Sequence, residues 1–197
     1  MSDPQVSRLI RRGLLLEYLT LGWNVLGSAV VFAAAWRARS VALAGFGLDS
    51  LVEIVASVVV VWQLKGTGQG REKPALRAIG VAFFLLASYV LMQAFYVIVL
   101  ADKSEPSSLG IIWLTLTVVA MLLLALGKSR TGRALGNEVL KAEARVTLVD
   151  AYLAASVLAG LTLNAAFGWW WADPLASLVI VGYGLKEGHH AWMEGAS

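Results

Sequence analysis

Six long apolar runs, separated by short charged or glycine-rich breaks, constrain this chain more than any other feature of its sequence. They fall at roughly 14–36, 41–64, 76–101, 109–127, 144–167 and 171–186. Most approach the ~20 residues that an α-helix needs to cross the hydrocarbon core. Lipid offers no partner to a backbone N–H or C=O, so a spanning run has to satisfy its own hydrogen bonds as a helix. The runs therefore predict an all-α fold: a polytopic transmembrane bundle of six helices, with residues 1–197 as one transmembrane domain and no separate soluble domain. Composition agrees, because 58% of residues are hydrophobic and only 15% are charged, against about 25% charged in soluble domains.

The breaks carry the orientation. Trp36 to Ser40 reads as a tight hairpin, Lys65 to Pro74 as a glycine-rich basic loop, and Asp102 to Ser108 as a turn with Pro106. Gly127 to Lys141 is basic and could begin as a cytoplasmic extension of helix five, and Gly168 to Pro174 joins helices five and six. With six spans, one side collects the basic residues at 8–12, 65–77 and 128–145 together with Lys186, and the other holds only Arg37, Arg39 and Lys103. The positive-inside rule then places both termini in the cytoplasm. The location expected is a multi-pass position in the bacterial inner membrane. The net charge of +3 reports loop placement, not nucleic-acid binding. Arg8, Arg11 and Arg12 ahead of an apolar run imitate a signal peptide. The run exceeds the about 7–15 residues of a signal core and contains Glu17 and Asn24, so it reads as a retained first helix. The sequence has no cysteine, which excludes disulfides and thiolate metal chemistry.

Charges inside a span cost about 2.5–3.5 kcal/mol each even on the lenient insertion scale, so they mark function. Helix two carries Asp49 and Glu53, four residues apart on one face and about 6 Å apart along the axis, flanked by Ser50 and Ser57. Like charges so placed repel, and a bound cation or a shared proton relieves them. The competing explanations are a neutral, protonated pair bonded to backbone, or a salt bridge to a neighbouring helix, and the salt bridge finds no Lys or Arg deep in any run. Helix five carries Asp150 at comparable depth, with Glu143 two turns earlier; Glu143 reads as a solvated residue paired with Arg145 or Lys141. Glu17, Thr20 and Asn24 form a polar stripe on helix one, either interhelical glue or one wall of a hydrophilic path, with Asn24 leaning to the path. Asp173 reads as the cap of helix six, His189 and His190 as a solvated tail, and Tyr89 and Gln93 as packing residues. No phosphate-binding loop, Ser-His-Asp set or haem motif is present, so the chain is not expected to be an enzyme.

Three segments then carry a family resemblance. Ala44 to Glu53, with Ile54-Val-Ala-Ser57, resembles the second-helix motif of cation diffusion facilitators, the cation-efflux family, with two metal ligands four residues apart. Glu143 to Asp150 resembles the fifth-helix motif that carries the other two, and Gly168-Trp-Trp-Trp-Ala-Asp-Pro174 resembles the start of the sixth helix. The likeness covers nearly the whole chain and is closest to short members without the cytoplasmic C-terminal domain. It implies proton-coupled efflux of a divalent transition metal by a homodimer, with divalent cations, protons and the lipid bilayer as partners and no resident cofactor. The first position of the fifth-helix pair, often His in the family, is here Val146.

These expectations combine into a carrier whose metal site is Asp49, Glu53 and Asp150, completed by Asn24 or water. Oxygen ligands suit Mn, Mg or Ca, whereas the resemblance points to zinc; Zn, Mn, Fe and Co all stay open. The alternatives are a proton-coupled organic-cation transporter and a non-transporting interaction protein that keeps the fold.

Overall fold

A computed structural model describes residues 3–38, 41–66, 69–100, 108–169 and 172–196. It contains six α-helices: α1 (Asp3–Ala38), α2 (Val41–Leu64), α3 (Glu72–Leu100), α4 (Ser108–Leu135), α5 (Glu138–Phe167) and α6 (Ala172–Ala196), with a single 3-10 turn at Gln69–Arg71. The first five are long and apolar enough to cross a membrane, and α6 lies along α3. The chain is an integral, multi-pass membrane protein.

The helices form an up-and-down bundle. Neighbours α1 and α2 pair, as do α4 and α5, while α3 pairs with α6; α5 also reaches α2, α3 and α6. The most apolar stretch of α5 is 56% buried against 28% in α4, so α5 is the central helix and α4 lies at the periphery. Large apolar side chains such as Leu15, Leu19, Val55, Phe95, Ile112 and Leu123 face outward, as a lipid-facing surface requires. Buried Phe46, Phe83, Leu114, Leu140 and Leu153 fill the interior.

Several contacts tie the basic ends together. The Lys65 ammonium lies over the Tyr18 ring at 5.5 Å, Asn137 Nδ2 donates to Gln63 Oε1 at 3.0 Å, and Arg77 Nε donates to the Gly195 carbonyl at 3.1 Å. Arg71 caps the end of α2 by donating to the Trp62 carbonyl at 2.9 Å and stacking over its ring. Thus α1, α3 and α5 start at the end of the bundle where α2, α4 and α6 finish, the alternation that the charge pattern requires.

Three boundaries differ from expectation. The basic segment after residue 127 extends α4, not α5: α4 runs to Leu135, Gly136 turns the chain at φ 63°, and Asn137 caps α5 by accepting from the Leu140 amide at 2.8 Å. Helix α6 continues ten residues past 186, so His189 and His190 are exposed residues of a helix and not a tail, and His190 pairs with Glu194 at 3.6 Å. Helix α1 begins eleven residues before the apolar run. The 102–107 turn, the 39–40 link and Trp170–Trp171 lie outside the described residues, as does the side chain of Asp173.

Candidate functional site

Polar side chains on α1, α2 and α5 meet along the axis of the bundle. On α2, Asp49, Glu53 and Ser57 recur every four residues, and on α5, Glu143, Thr147 and Asp150 follow the same helical face. On α1, Glu17, Thr20, Asn24 and Ser28 do so. All ten are buried. The antiparallel run of α2 against α1 and α5 sorts them by depth. Asp49 and Asp150 share one level, Glu53 and Asn24 the next, and Ser57, Glu143 and Glu17 the level nearest the basic ends.

The deep level is built of carboxylates. The side chains of Asp49 and Asp150 adjoin across α2 and α5, and Glu53 neighbours Asp150. Asn24 Nδ2 donates to Glu53 Oε2 at 3.0 Å. This bond fixes the Glu53 carboxylate and leaves the Asn24 carbonyl oxygen as that residue's lone-pair atom. Asp49 Oδ2, both carboxyl oxygens of Asp150 and Glu53 Oε1 are buried with no hydrogen-bond partner. Unit charges of like sign 4 Å apart repel by roughly 4 kcal/mol at an effective dielectric constant of about 20, and buried acceptors without donors add a desolvation cost. Among the described residues, no three His, Asp or Glu side chains converge on one point tightly enough to hold an ion as they stand. The four expected residues are adjacent, but as an aspartate pair beside an amide-bound glutamate.

The shallow level corrects two expectations. Lys128 on α4 is fully buried inside the bundle, where no Lys or Arg was expected. Its ammonium donates to Glu143 Oε1 at 2.5 Å and to Thr147 Oγ1 at 3.0 Å, and lies 3.2 Å from Glu17 Oε2. Glu143 is therefore not a solvated partner of Arg145 or Lys141. It is fully buried, and its Oε1 also accepts from Ser57 Oγ at 3.1 Å and Thr147 Oγ1 at 3.3 Å. Lys141 pairs instead with Glu138 at 2.5 Å, and Arg145 with Glu187 of α6 at 2.6 Å. A signal for Lys128 was present: Thr117, Met121, Ala125, Lys128 and Thr131 mark one buried stripe of α4 at spacings of three and four. Of the α1 stripe, Glu17 and Asn24 bond across helices, while Thr20 and Ser28 bond back to their own helix at Leu16 and Asn24.

Val146, one turn before Asp150, is buried among apolar neighbours and offers no ligand atom. Tyr89 and Gln93 lie against Gly45 where α3 crosses α2, and Tyr89 is close enough to Asp49 to feel its charge.

Comparison with known proteins adds an independent line. A family model for the cation efflux transmembrane domain matches residues 18–197. The chain is also 28% identical over 171 residues to the cation-efflux pump FieF of Shewanella oneidensis, an alignment covering 86% of this chain and 56% of that protein. This chain thus spans little more than half the length of that relative. The family match takes in all five buried acids except Glu17, which lies one residue before it. On that match, the chain belongs to the cation-efflux family.

Proposed function

We propose that the protein exports a divalent transition-metal cation from the cytoplasm and that the metal is held by Asp49, Glu53 and Asp150. One observation carries this reading. Among the described residues, the buried interior holds five carboxylates, Glu17, Asp49, Glu53, Glu143 and Asp150, but a single buried basic side chain, Lys128. The deep trio makes no ion pair of its own, and four of its oxygens receive no hydrogen bond from an N–H or hydroxyl donor. A dication supplies the missing charge and the missing partners together, and protons can take its place on the same oxygens once it leaves. Alternating exposure of this level to the two sides then gives metal–proton antiport. In this reading Asn24 orients Glu53 and adds its carbonyl oxygen to the ion's ligands, and Glu53 turns towards the aspartate pair when the ion binds.

An all-oxygen donor set favours Mn(II) and other hard ions, while imidazole and thiolate are the usual zinc ligands. We therefore rank Mn(II) above Zn(II) as the ion these residues hold best. Support for efflux comes from the family and from the likeness to the Shewanella cation-efflux pump. The test is flux into liposomes containing purified protein, with Mn, Zn, Co, Fe and Cd offered in turn and a pH dye inside. Metal uptake with proton movement in the opposite direction is expected. Transport of a bulky organic cation with no metal flux would establish the organic-cation reading instead.

A further inference from the structure

The Lys128 cluster has the composition of a cation site that already contains its cation. An ammonium held by two carboxylates and a hydroxyl makes the same oxygen contacts that a hard metal ion would. The ammonium's partners come from the two helices packed on α4, Glu17 from α1 and Glu143 and Thr147 from α5, and Ser57 of α2 joins the cluster by donating to Glu143 Oε1. The carboxyl groups of Glu17 and Glu143 adjoin each other. Both are fully buried, and Glu17 Oε1 and Glu143 Oε2 have no hydrogen-bond partner. The donors available to Glu143 all converge on its other oxygen. Two acids against one lysine leave the cluster one negative charge in excess, with coordinating atoms unused.

The cluster also stands in line with the deep carboxylates. Glu143 and Asp150 are seven residues apart on one face of α5, about 10 Å along the helix axis. Thr147 lies between them, and Glu53 feels the charges of both Lys128 and Glu143.

We propose that Glu17, Glu143, Ser57 and Thr147 form a second cation station, occupied here by the tethered ammonium of Lys128 and able to take a hard divalent metal when that ammonium is removed. Lys128 is an internal competitor: it holds the station nearest the basic ends of the helices and keeps a metal ion from resting there. That the station lies on the transport route rests on the reading of the deep carboxylates as the metal site. The existence of the station does not.

The test counts Mn(II) bound per chain to purified protein by equilibrium dialysis at saturating metal. The parent is expected to bind one ion. Lys128→Met removes the ammonium while keeping the stem's approximate length, and should bind two. Lys128→Met/Glu17→Gln/Glu143→Gln should return to one. Because two uncompensated buried carboxylates can prevent folding, Lys128→Met/Glu17→Gln is measured as well. It keeps the cluster's original net charge and should also hold a second ion, more weakly. If the lysine variants bind no more ions than the parent, the proposal is overturned, and so it is if the extra ion survives in the triple variant. If the parent binds none but Lys128→Met binds one, the deep site fails and the station stands.

Discussion

At residue scale, the proposed metal site predicts that position 146 sets which metals it favours. Val146 lies one helical turn before Asp150, so a longer polar side chain there projects along the same side of α5. It is buried and contributes no lone pair. Val146→His would add a neutral imidazole, a ligand that prefers Zn over Mn. We expect its zinc-to-manganese preference to rise by on the order of tenfold, equivalent to about 1.4 kcal/mol, in paired binding titrations at matched pH. An unchanged ratio would mean that position 146 faces away from the ion. The acids themselves were legible in the sequence because a charge in an apolar run is costly and stands out. Lys128 was not. It follows the last residue of the fourth run, where a lysine ordinarily marks the water boundary. Only the continuation of α4 to Leu135 brings it within the bundle.

At the scale of elements, α3 and α6 meet through glycine. A Cβ added to Gly80 would approach the Gly188 carbonyl oxygen and the Trp192 amide nitrogen, each at 3.1 Å, and one added to Gly188 would approach Phe83 Cβ at 3.0 Å. Small residues let helix backbones close together where lipid gives no hydrophobic drive for association. Gly80→Val places two methyl groups against main chain that has little room to retreat. Overpacking of this kind costs typically about 1–3 kcal/mol. The variant should unfold at a lower temperature in detergent, as followed by circular dichroism, with metal affinity retained because the carboxylates lie on α2 and α5. An unaltered melting temperature would show that the α3–α6 contact yields easily. The helices themselves were readable from hydropathy, but their ends were not. The first turns of α1 and the last turns of α4 and α6 are polar, and a helix that leaves the hydrocarbon can continue in water without any apolar signal. Backbone hydrogen bonding holds such turns, and hydropathy does not register it.

For the whole molecule, the charge separation predicts an orientation. The contacts among Lys65, Tyr18, Gln63, Asn137, Arg77 and Gly195 gather helix ends bearing basic residues at one end of the bundle. The positive-inside rule assigns that end to the cytoplasm. Reporter fusions after Lys65, Lys103 and Ser197 should read inside, outside and inside, and an outside signal at Ser197 would remove the sixth crossing. Depth ordering within the bundle places the Lys128 cluster between the basic helix ends and the aspartate pair. On the proposed function, an exported ion would meet a fixed positive charge before it met the deep carboxylates. The sequence pattern alone could not show this ordering, because it depends on α4 lying against α1 and α5, which no spacing within one helix reveals.

The account's central claim is that the deep carboxylates hold the metal, and direct binding tests it. Asp49→Asn/Asp150→Asn nearly preserves side-chain size, removes two charges and relieves the repulsion between adjoining acids. The variant should fold with unchanged or higher thermal stability. In a Mn(II) titration of purified protein, the parent should bind one ion per chain and this variant none at the same metal concentrations. Equal binding by a folded variant would contradict the claim and leave the buried aspartates without a role in holding the cation.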